Sequence, residues 1–155
     1  MPNEANTARS AAVAGCIIVV PCYNEEKRLD VEAFAGFLAA SDGVDFVMVN
    51  DGSTDGTLKM LRGLRARFPE RVDLLDLPRN RGKAEAVRRG LLHALGSETS
   101  LVGFWDADLA TPLEAIHSFC RLAQQEPRLE WIIGARVELL GRHIQRRPLR
   151  HYLGR

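Results

Sequence analysis

The chain has 155 residues, of which 46% are apolar, so it is long enough for one ordinary hydrophobic core and too short for two. Charged residues make up 26% and the formal net charge is +1, which excludes a nucleic-acid-binding polycation. Three cysteines without a CxxC spacing argue against a zinc site or a disulfide framework and favour a reducing, cytoplasmic location.

The first residues raise the question of a targeting segment. Residues 1–14 are small and polar, and we expect a flexible arm ahead of one domain at residues 15–155. The apolar run after Arg9 is similar to a short signal peptide, but it continues into Pro21, so a buried strand explains it better. No stretch reaches the ~20 apolar residues that a membrane-spanning helix needs.

From there on, predicted strands and helices alternate. Continuous β-branched or apolar runs predict strands, and apolar residues at a stride of three to four predict the helices between them. The strands are Cys16–Val20, Phe46–Val49, Val72–Leu77, Leu101–Trp105 and Trp131–Val137. The helices are one with Val31, Phe34 and Leu38 inward, Thr57–Phe68, Lys83–Leu95 with Ala84, Val87, Leu91 and Ala94 inward, and one with Leu113, Ile116, Cys120 and Ala123 inward, opened by Thr111 and Pro112.

This alternation predicts an α/β fold with a mostly parallel sheet and helices on both faces. Ligands of such sheets bind beyond the carboxyl ends of the strands, where the strand order reverses. With an order of 3-2-1-4, the loops after strands one and four face each other there. Those loops are Pro21–Glu26 and Asp106–Asp108.

Two carboxylates, Asp106 and Asp108, directly follow the fourth strand. Mg²⁺ or Mn²⁺ suits such a pair, because these hard cations accept one or two carboxylates and take their other ligands from water and a diphosphate. We expect one carboxylate to bind the metal ion and the other to hold a sugar hydroxyl or a metal-bound water. A turn or a helix cap is the alternative interpretation of this common motif, and its position at the end of a buried strand favours the metal site.

The segment 50–57, after strand two, has the spacing of a calcium-binding loop, but its twelfth position is Arg62 where a glutamate is required. That excludes a calcium loop. Helix capping by residues 53–55 explains part of the segment. Asp51 lies before the capping residues and is left for ligand binding. Its carboxylate can accept the ring N–H of a pyrimidine or guanine base.

Two basic segments complete the candidates. Arg79–Lys83 lies at a predicted helix N-terminus and can receive phosphate charge, with a solvated turn as the alternative. It is not a Walker loop, and strand one is not followed by the GxGxxG of a dinucleotide fold. Between residues 136 and 155 six arginines stand against one acid, Glu138, which indicates a phosphate site, an anionic membrane surface or a solvated face.

Four ordered motifs resemble those of family 2 glycosyltransferases of the GT-A fold, and within that family the dolichyl-phosphate (polyprenyl-phosphate) β-glucosyltransferases and related mannosyltransferases. They are Val20–Glu26, Asn50–Thr57, Asn80–Ala84 and Asp106–Leu109. The resemblance covers about residues 16–155. Because members of the family are longer, we expect the C-terminal part of the complete domain to be missing.

The resemblance implies roles for individual residues. It places Asp106, Asp108 and Arg136 at the catalytic centre, with Asp106 serving ribose and metal and Asp108 the more direct metal ligand. It implies a nucleotide pocket formed by Pro21, Tyr23, Glu25, Asp51, Lys83 and Asp106. It also implies that Arg136, with Arg147 or Arg150, faces the donor diphosphate and the acceptor phosphate.

The resemblance therefore implies an inverting, metal-dependent transfer of a hexose from a nucleotide sugar, UDP-glucose being favoured, to a polyprenyl phosphate. Such an acceptor is already anionic and needs no general base, whereas a hydroxyl acceptor does. Two alternatives remain: a family 2 transferase acting on a lipid or polysaccharide hydroxyl, and an inactive nucleotide-binding module. Peripheral contact with an anionic membrane, at its cytoplasmic face, is a further expectation.

Overall fold

The structure is a computed structural model that describes residues 15–134. The expected N-terminal arm and the arginine-rich segment lie outside these residues. The described chain forms four strands and four helices in strict alternation. They are β1 (Cys16–Cys22), α1 (Val31–Ala40), β2 (Val44–Asp51), α2 (Thr57–Arg67), β3 (Val72–Leu77), α3 (Lys83–Ala94), β4 (Leu101–Phe104) and α4 (Ala115–Gln125).

The four strands form one parallel sheet in the order β3-β2-β1-β4, which confirms the predicted order. The register places Cys22 opposite Asn50 and Asp51 opposite Leu77. Because the strands are parallel, their carboxyl ends meet at one edge. The loops that carry the predicted site residues therefore leave the sheet from the same edge.

The predicted fifth strand is not formed over Trp131–Gly134, and residues 135–137 lie outside the described part. Trp131 and Ile133 are 81% and 83% exposed. Their apolar, β-branched sequence is that of a strand, but a strand also needs a pairing partner, and over residues 15–134 none lies beside them.

Helices cover both faces of the sheet, as predicted. On one face α3 packs against β1, β2 and β4, over a cluster that includes Val19, Val49 and Ala86. On the other face α1, α2 and α4 share the larger core around Phe34, Phe46, Leu61 and Ile116. Strands buried on both faces are why their sequences are continuous apolar runs.

The predicted inward face of α3 is partly wrong. Ala84 is exposed, and the buried residues of α3 are Ala86, Gly90 and Ala94. Of the predicted residues, Ala94 is buried and Leu91 is partly buried against the same cluster. A Cβ atom on Gly90 would lie 2.3 Å from Val19 Cγ1, so only glycine permits this approach. Residue volume at the contact, more than hydrophobicity, selects the face that α3 buries.

The start of α4 also differs from the prediction. Pro112 does not lie in its first turn, because α4 begins at Ala115. Pro112 instead belongs to a preceding turn, in which its carbonyl accepts the N–H of Ala115 at 3.1 Å. Within residues 15–134 every helix is too short or too polar to span a bilayer.

Candidate functional site

The loops after β1 and β2 are joined by reciprocal hydrogen bonds. The N–H of Asn24 donates to Ser53 Oγ at 3.1 Å, and the N–H of Thr54 donates back to Asn24 Oδ1 at 2.9 Å. Asn24 has a φ of 51°, in the left-handed region that asparagine tolerates better than most residues. Its side chain can therefore turn back onto the second loop.

A second pair of bonds extends the same contact. The N–H of Glu26 donates to Asp55 Oδ2 at 3.2 Å, and the N–H of Gly56 donates to Glu26 Oε2 at 3.0 Å. Glu26 thus accepts the N–H of Gly56, the N-cap residue of α2, whose N–H has no partner within the helix. We call the contact between residues 24–26 and residues 53–57 the loop clasp.

The loop clasp accounts for motif residues that the sequence prediction left without a role. Expected caps in residues 53–55 are only partly confirmed, because Asp55 accepts the N–H of Thr57 at 3.0 Å whereas Ser53 and Thr54 bind Asn24. The sequence feature that could have indicated the loop clasp is the presence of polar residues in both of these loops, which follow adjacent strands. Their partners follow from the register between β1 and β2, which the sequence does not show.

Glu25 is held by the loop clasp but keeps a carboxylate oxygen unused. Its N–H donates to Thr57 Oγ1 at 2.7 Å, and its Oε1 accepts from Arg28 at 2.5 Å. Its side chain is 12% exposed, and Oε2 is buried with no hydrogen-bond partner within residues 15–134. A buried acceptor without a partner is costly, so this oxygen suits a ligand that brings a hydroxyl or an N–H.

The neighbours of Glu25 differ in accessibility. Tyr23 follows β1 and is 43% exposed, so its ring is available at the strand end, while Pro21 is a half-buried residue of β1. Burial, and secondly the charge of Glu25, raises the pKa of the Cys22 thiol to about 12. Cys22 is therefore a neutral core residue and not a nucleophile.

Asp51 anchors the loop that precedes α3. It is 2% exposed, and its Oδ1 and Oδ2 accept the backbone N–H groups of Arg81 and Gly82 at 2.9 and 2.8 Å. Gly52, with a φ of 64°, lets this loop pass closely, because a Cβ there would lie 2.4 Å from the carbonyl carbon of Arg79. Because each oxygen of Asp51 already accepts one backbone N–H, the ring N–H of a nucleotide base can bind only to a second lone pair of one of these oxygens.

Lys83 and Asp106 meet across the edge of the sheet. Lys83 is the first residue of α3, and its ammonium forms an ion pair with Asp106 Oδ1, beyond the end of β4. Lys83 is 59% exposed and Asp106 is 38% exposed, so the pair lies at the surface. The predicted phosphate-binding lysine and a predicted metal ligand are therefore in direct contact.

Asp106 and Asp108 both lie on the solvent side, with Ala107 buried between them. Asp108 Oδ1 accepts the N–H of Ala110 at 3.2 Å, beside Leu109, whose φ is 50°. No cluster of three histidine, cysteine or acidic side chains occurs in the described residues, so residues 15–134 offer at most these two carboxylates at this edge. That set fits Mg²⁺ or Mn²⁺, which accept few protein ligands when water and phosphate oxygens supply the rest.

The sequence model of Glycosyl transferase family 2 matches residues 17–149. The chain belongs to this family. Its predicted assignment is thereby confirmed, and the parallel sheet with helices on both faces is the GT-A fold of family members.

Named relatives are similar over most of the chain. Dolichyl-phosphate β-glucosyltransferase ALG5C of Trichomonas vaginalis is 32% identical in an alignment of 148 positions that covers 88% of this chain and 43% of the relative. Undecaprenyl-phosphate 4-deoxy-4-formamido-L-arabinose transferase of Edwardsiella ictaluri is 36% identical over 112 residues, 70% of this chain and 33% of the relative. The chain thus spans less than half the length of these relatives.

A solved structure gives the corresponding result for the fold. The mannosyltransferase PcManGT of Pyrobaculum calidifontis, in complex with GDP-Man and Mn²⁺, superposes with a TM-score of 0.51 at 28% identity. The match covers 61% of this chain and 28% of the mannosyltransferase. Partial coverage agrees with a family 2 chain that represents part of a GT-A domain.

Within this family 2 chain, the site is an open edge of the sheet. Four predicted site residues lie at the carboxyl ends of the strands: Glu25 and Asp106 in loops, Asp51 as the last residue of β2 and Lys83 as the first residue of α3. The predicted phosphate ligands Arg136, Arg147 and Arg150 lie outside the described residues. Two shallow concavities of the described surface lie elsewhere, one lined by Arg62, Leu74 and Asp76 and the other by Phe37, Leu109 and Pro112.

Proposed function

We propose that this chain is the nucleotide-sugar-binding part of an inverting glycosyltransferase that moves a hexose from a nucleoside diphosphate to a polyprenyl phosphate. Family membership supports the transferase class. The printed names of two relatives, a dolichyl-phosphate and an undecaprenyl-phosphate transferase, support the acceptor class. UDP-glucose is the favoured donor, because one of these relatives is a β-glucosyltransferase.

One observation carries the nucleotide-binding part of the proposal: Glu25 Oε2 is buried without a partner in the described residues. It lies in the loop after β1, next to the point where the strand order changes from β1 to β4. Ligands of parallel sheets bind at that point. A ribose hydroxyl, or a ring N–H of the base, satisfies this oxygen, and the exposed ring of Tyr23 gives the base an apolar surface.

The remaining residues bind and orient the donor. Asp51 fixes the loop before α3 and offers its remaining lone pairs to the base. Lys83 at the start of α3, with Arg136, balances the diphosphate charge. Asp106 and Asp108 would hold the divalent cation, which, when bound, offsets the negative charge that develops on the departing diphosphate.

Inversion follows from the direction of attack. The acceptor oxygen forms its bond to the anomeric carbon on the side opposite the diphosphate, and the bond from that carbon to the diphosphate breaks. A phosphate acceptor enters as an anion, so no side chain has to remove a proton. This agrees with the roles proposed here for the acidic residues of the site. They hold the loops, the ribose and the cation, and none of them has to act as a base.

A transfer assay tests the proposal. Protein, Mn²⁺ and UDP-[¹⁴C]glucose are incubated with a polyprenyl phosphate or with the matching polyprenol, and label in the lipid fraction is counted. We expect label on the phosphate only. Label on the alcohol alone identifies a hydroxyl acceptor, and label in neither lipid, with nucleotide binding intact, identifies an inactive binding module.

Glu25→Ala tests the observation itself in the same assay. Because the loop clasp uses only the backbone N–H of Glu25, this variant keeps the clasp, and we expect a raised KM for the nucleotide sugar. Arg28→Ala is the matched control, since it removes the described partner of Glu25 without removing the buried oxygen. Equal KM values for Glu25→Ala and wild type contradict the assignment of Glu25.

A further inference from the structure

The ion pair of Lys83 and Asp106 connects two functions that the site must perform one after the other. Lys83 is placed to meet diphosphate charge, and Asp106 is placed to hold a divalent cation, yet in this structure each is bound to the other. A carboxylate that is paired with an ammonium attracts a metal ion less strongly, because the ammonium charge repels the cation. A lysine that is paired with a carboxylate likewise attracts a phosphate less strongly, because the carboxylate offsets its charge.

The base of Lys83 is fixed. Gly82, the residue before it, donates its N–H to Asp51 Oδ2 at 2.8 Å, and Arg81 donates to Asp51 Oδ1 at 2.9 Å. The start of α3 is therefore tied to the end of β2. Only the four-carbon side chain of Lys83 can change its position. Its ammonium group carries a compact charge and three N–H donors, which can bind different oxygen atoms.

The pair is also weak enough to exchange. Both side chains are well exposed, and exposed ion pairs of this kind contribute little, since solvent screens them. Near Asp106 a divalent cation carries twice the charge of the ammonium. A diphosphate gives Lys83 a more highly charged partner than one carboxylate.

We propose that Lys83 occupies Asp106 until the donor binds and then moves to the diphosphate, so that the metal ion and the nucleotide bind cooperatively. Lys83 competes with a metal ion that arrives alone and stabilises one that arrives with a diphosphate. The site thereby favours the complete metal–nucleotide complex over the bare cation. This inference rests on the proposed function, because it requires a cation at Asp106 and a diphosphate beside α3.

Lys83→Met removes the charge and keeps most of the stem, and its exposure leaves the fold intact. Binding of Mn²⁺ alone is measured by electron paramagnetic resonance of the free ion. We expect the variant to bind Mn²⁺ about 1.5- to 5-fold more tightly than wild type, the range that corresponds to an exposed ion pair. Calorimetry with UDP at saturating Mn²⁺ should show the opposite change, with UDP bound at least 5-fold more weakly.

Lys27→Met is the matched control. Lys27 is an exposed lysine of the neighbouring β1–α1 loop, with no ion pair in the described residues, so it corrects for the change in net charge. If Lys83→Met binds Mn²⁺ as wild type does, or more weakly, while wild type shows Mn²⁺-dependent UDP binding, the inference is overturned and the proposed function stands. Absence of Mn²⁺-dependent UDP binding in wild type and variants overturns both.

Discussion

Asp51 accepts the backbone N–H of Gly82 at 2.8 Å, which ties the end of β2 to the residue that precedes α3. Together with the bond from Arg81, it makes this buried carboxylate the anchor of the whole β3–α3 loop. The sequence alone assigned Asp51 to the nucleotide base. The structure adds a second role, because the same side chain determines where Lys83 begins α3.

Asp51→Ala should therefore affect both stability and binding. Two part-buried backbone bonds to Asp51 are lost, although the N–H of Gly82 keeps Asn80 Oδ1 as an acceptor, and we expect a cost of about 1–2 kcal/mol in free energy of unfolding, measured by urea denaturation. UDP binding should weaken more than pyrophosphate binding, because only UDP carries a base. Asp42→Ala, at an exposed aspartate without a described side-chain hydrogen bond, is the control. Unchanged stability contradicts the anchor role, and equal loss for both ligands contradicts the base contact.

The contact of α3 with the sheet is tested by two glycines. Gly90→Ala places a methyl group 2.3 Å from Val19 Cγ1, and we expect a loss of about 1–3 kcal/mol from this overpacking. Gly63→Ala is the control, because a Cβ there meets nothing within 4 Å and alanine favours the helix by up to about 1 kcal/mol. Urea unfolding should show opposite signs, and a stabilising Gly90→Ala contradicts the packing described for α3.

These same elements show what the sequence could predict. Strand order and family followed from buried strands, short loops and motif residues, all of which are local signals. The face of α3 followed only in part: Ala94 and Leu91 pack toward the sheet as predicted, but Ala84 and Val87 have helical spacing just as Ala86 and Gly90 do. Choosing between the two sets requires the distance between helix and sheet, which only the folded structure supplies.

The loop clasp was unpredictable for a different reason. Asn24 and Ser53 are 29 positions apart, and their contact depends on the register that sets Cys22 opposite Asn50. Conversely, Trp131–Val137 was predicted as a strand from its composition, although strand formation depends on a partner that composition does not reveal.

The loop clasp gives a pH-dependent prediction. The hydroxyl of Thr57 donates to Asp55 Oδ1 at 2.6 Å and, as the largest cause, lowers the pKa of this carboxyl below its ordinary value. The stabilisation from this carboxylate is therefore present above the ordinary pKa and is lost as the pH falls through the lowered one. Thr57→Val should raise the pKa of Asp55, measured by carbon NMR titration of its carboxyl group.

Thr54→Val is the control for this titration, since Thr54 lies in the loop clasp but bonds Asn24 and not Asp55. The pKa of Asp55 should be the same in this variant as in wild type. If Thr57→Val leaves the pKa of Asp55 unchanged, the hydroxyl of Thr57 does not stabilise the charged carboxylate.

The arginine-rich segment gives a prediction about membranes. We expect each arginine of this segment to contribute about 1 kcal/mol near an anionic bilayer, and Leu149, Tyr152 and Leu153 to add apolar contacts. We expect the protein to sediment with anionic vesicles at low salt and to be released as salt rises. Deleting residues 142–155 should abolish sedimentation and leave nucleotide affinity largely intact. Sedimentation of the shortened protein would assign membrane contact to another surface.

The central claim is that the carboxyl edge of the sheet binds a nucleoside diphosphate together with a divalent cation. The most direct test is calorimetric titration of UDP and GDP, with and without Mn²⁺, into wild type and Asp108→Ala. Asp108 is exposed and makes one described side-chain hydrogen bond, to Ala110, so the variant should stay folded. Glu114→Ala, at another exposed acid, is the control. We predict that Mn²⁺ strengthens binding of one nucleotide in wild type and Glu114→Ala and has no effect in Asp108→Ala. Nucleotide affinity that is the same in all three proteins with and without Mn²⁺ would contradict the claim.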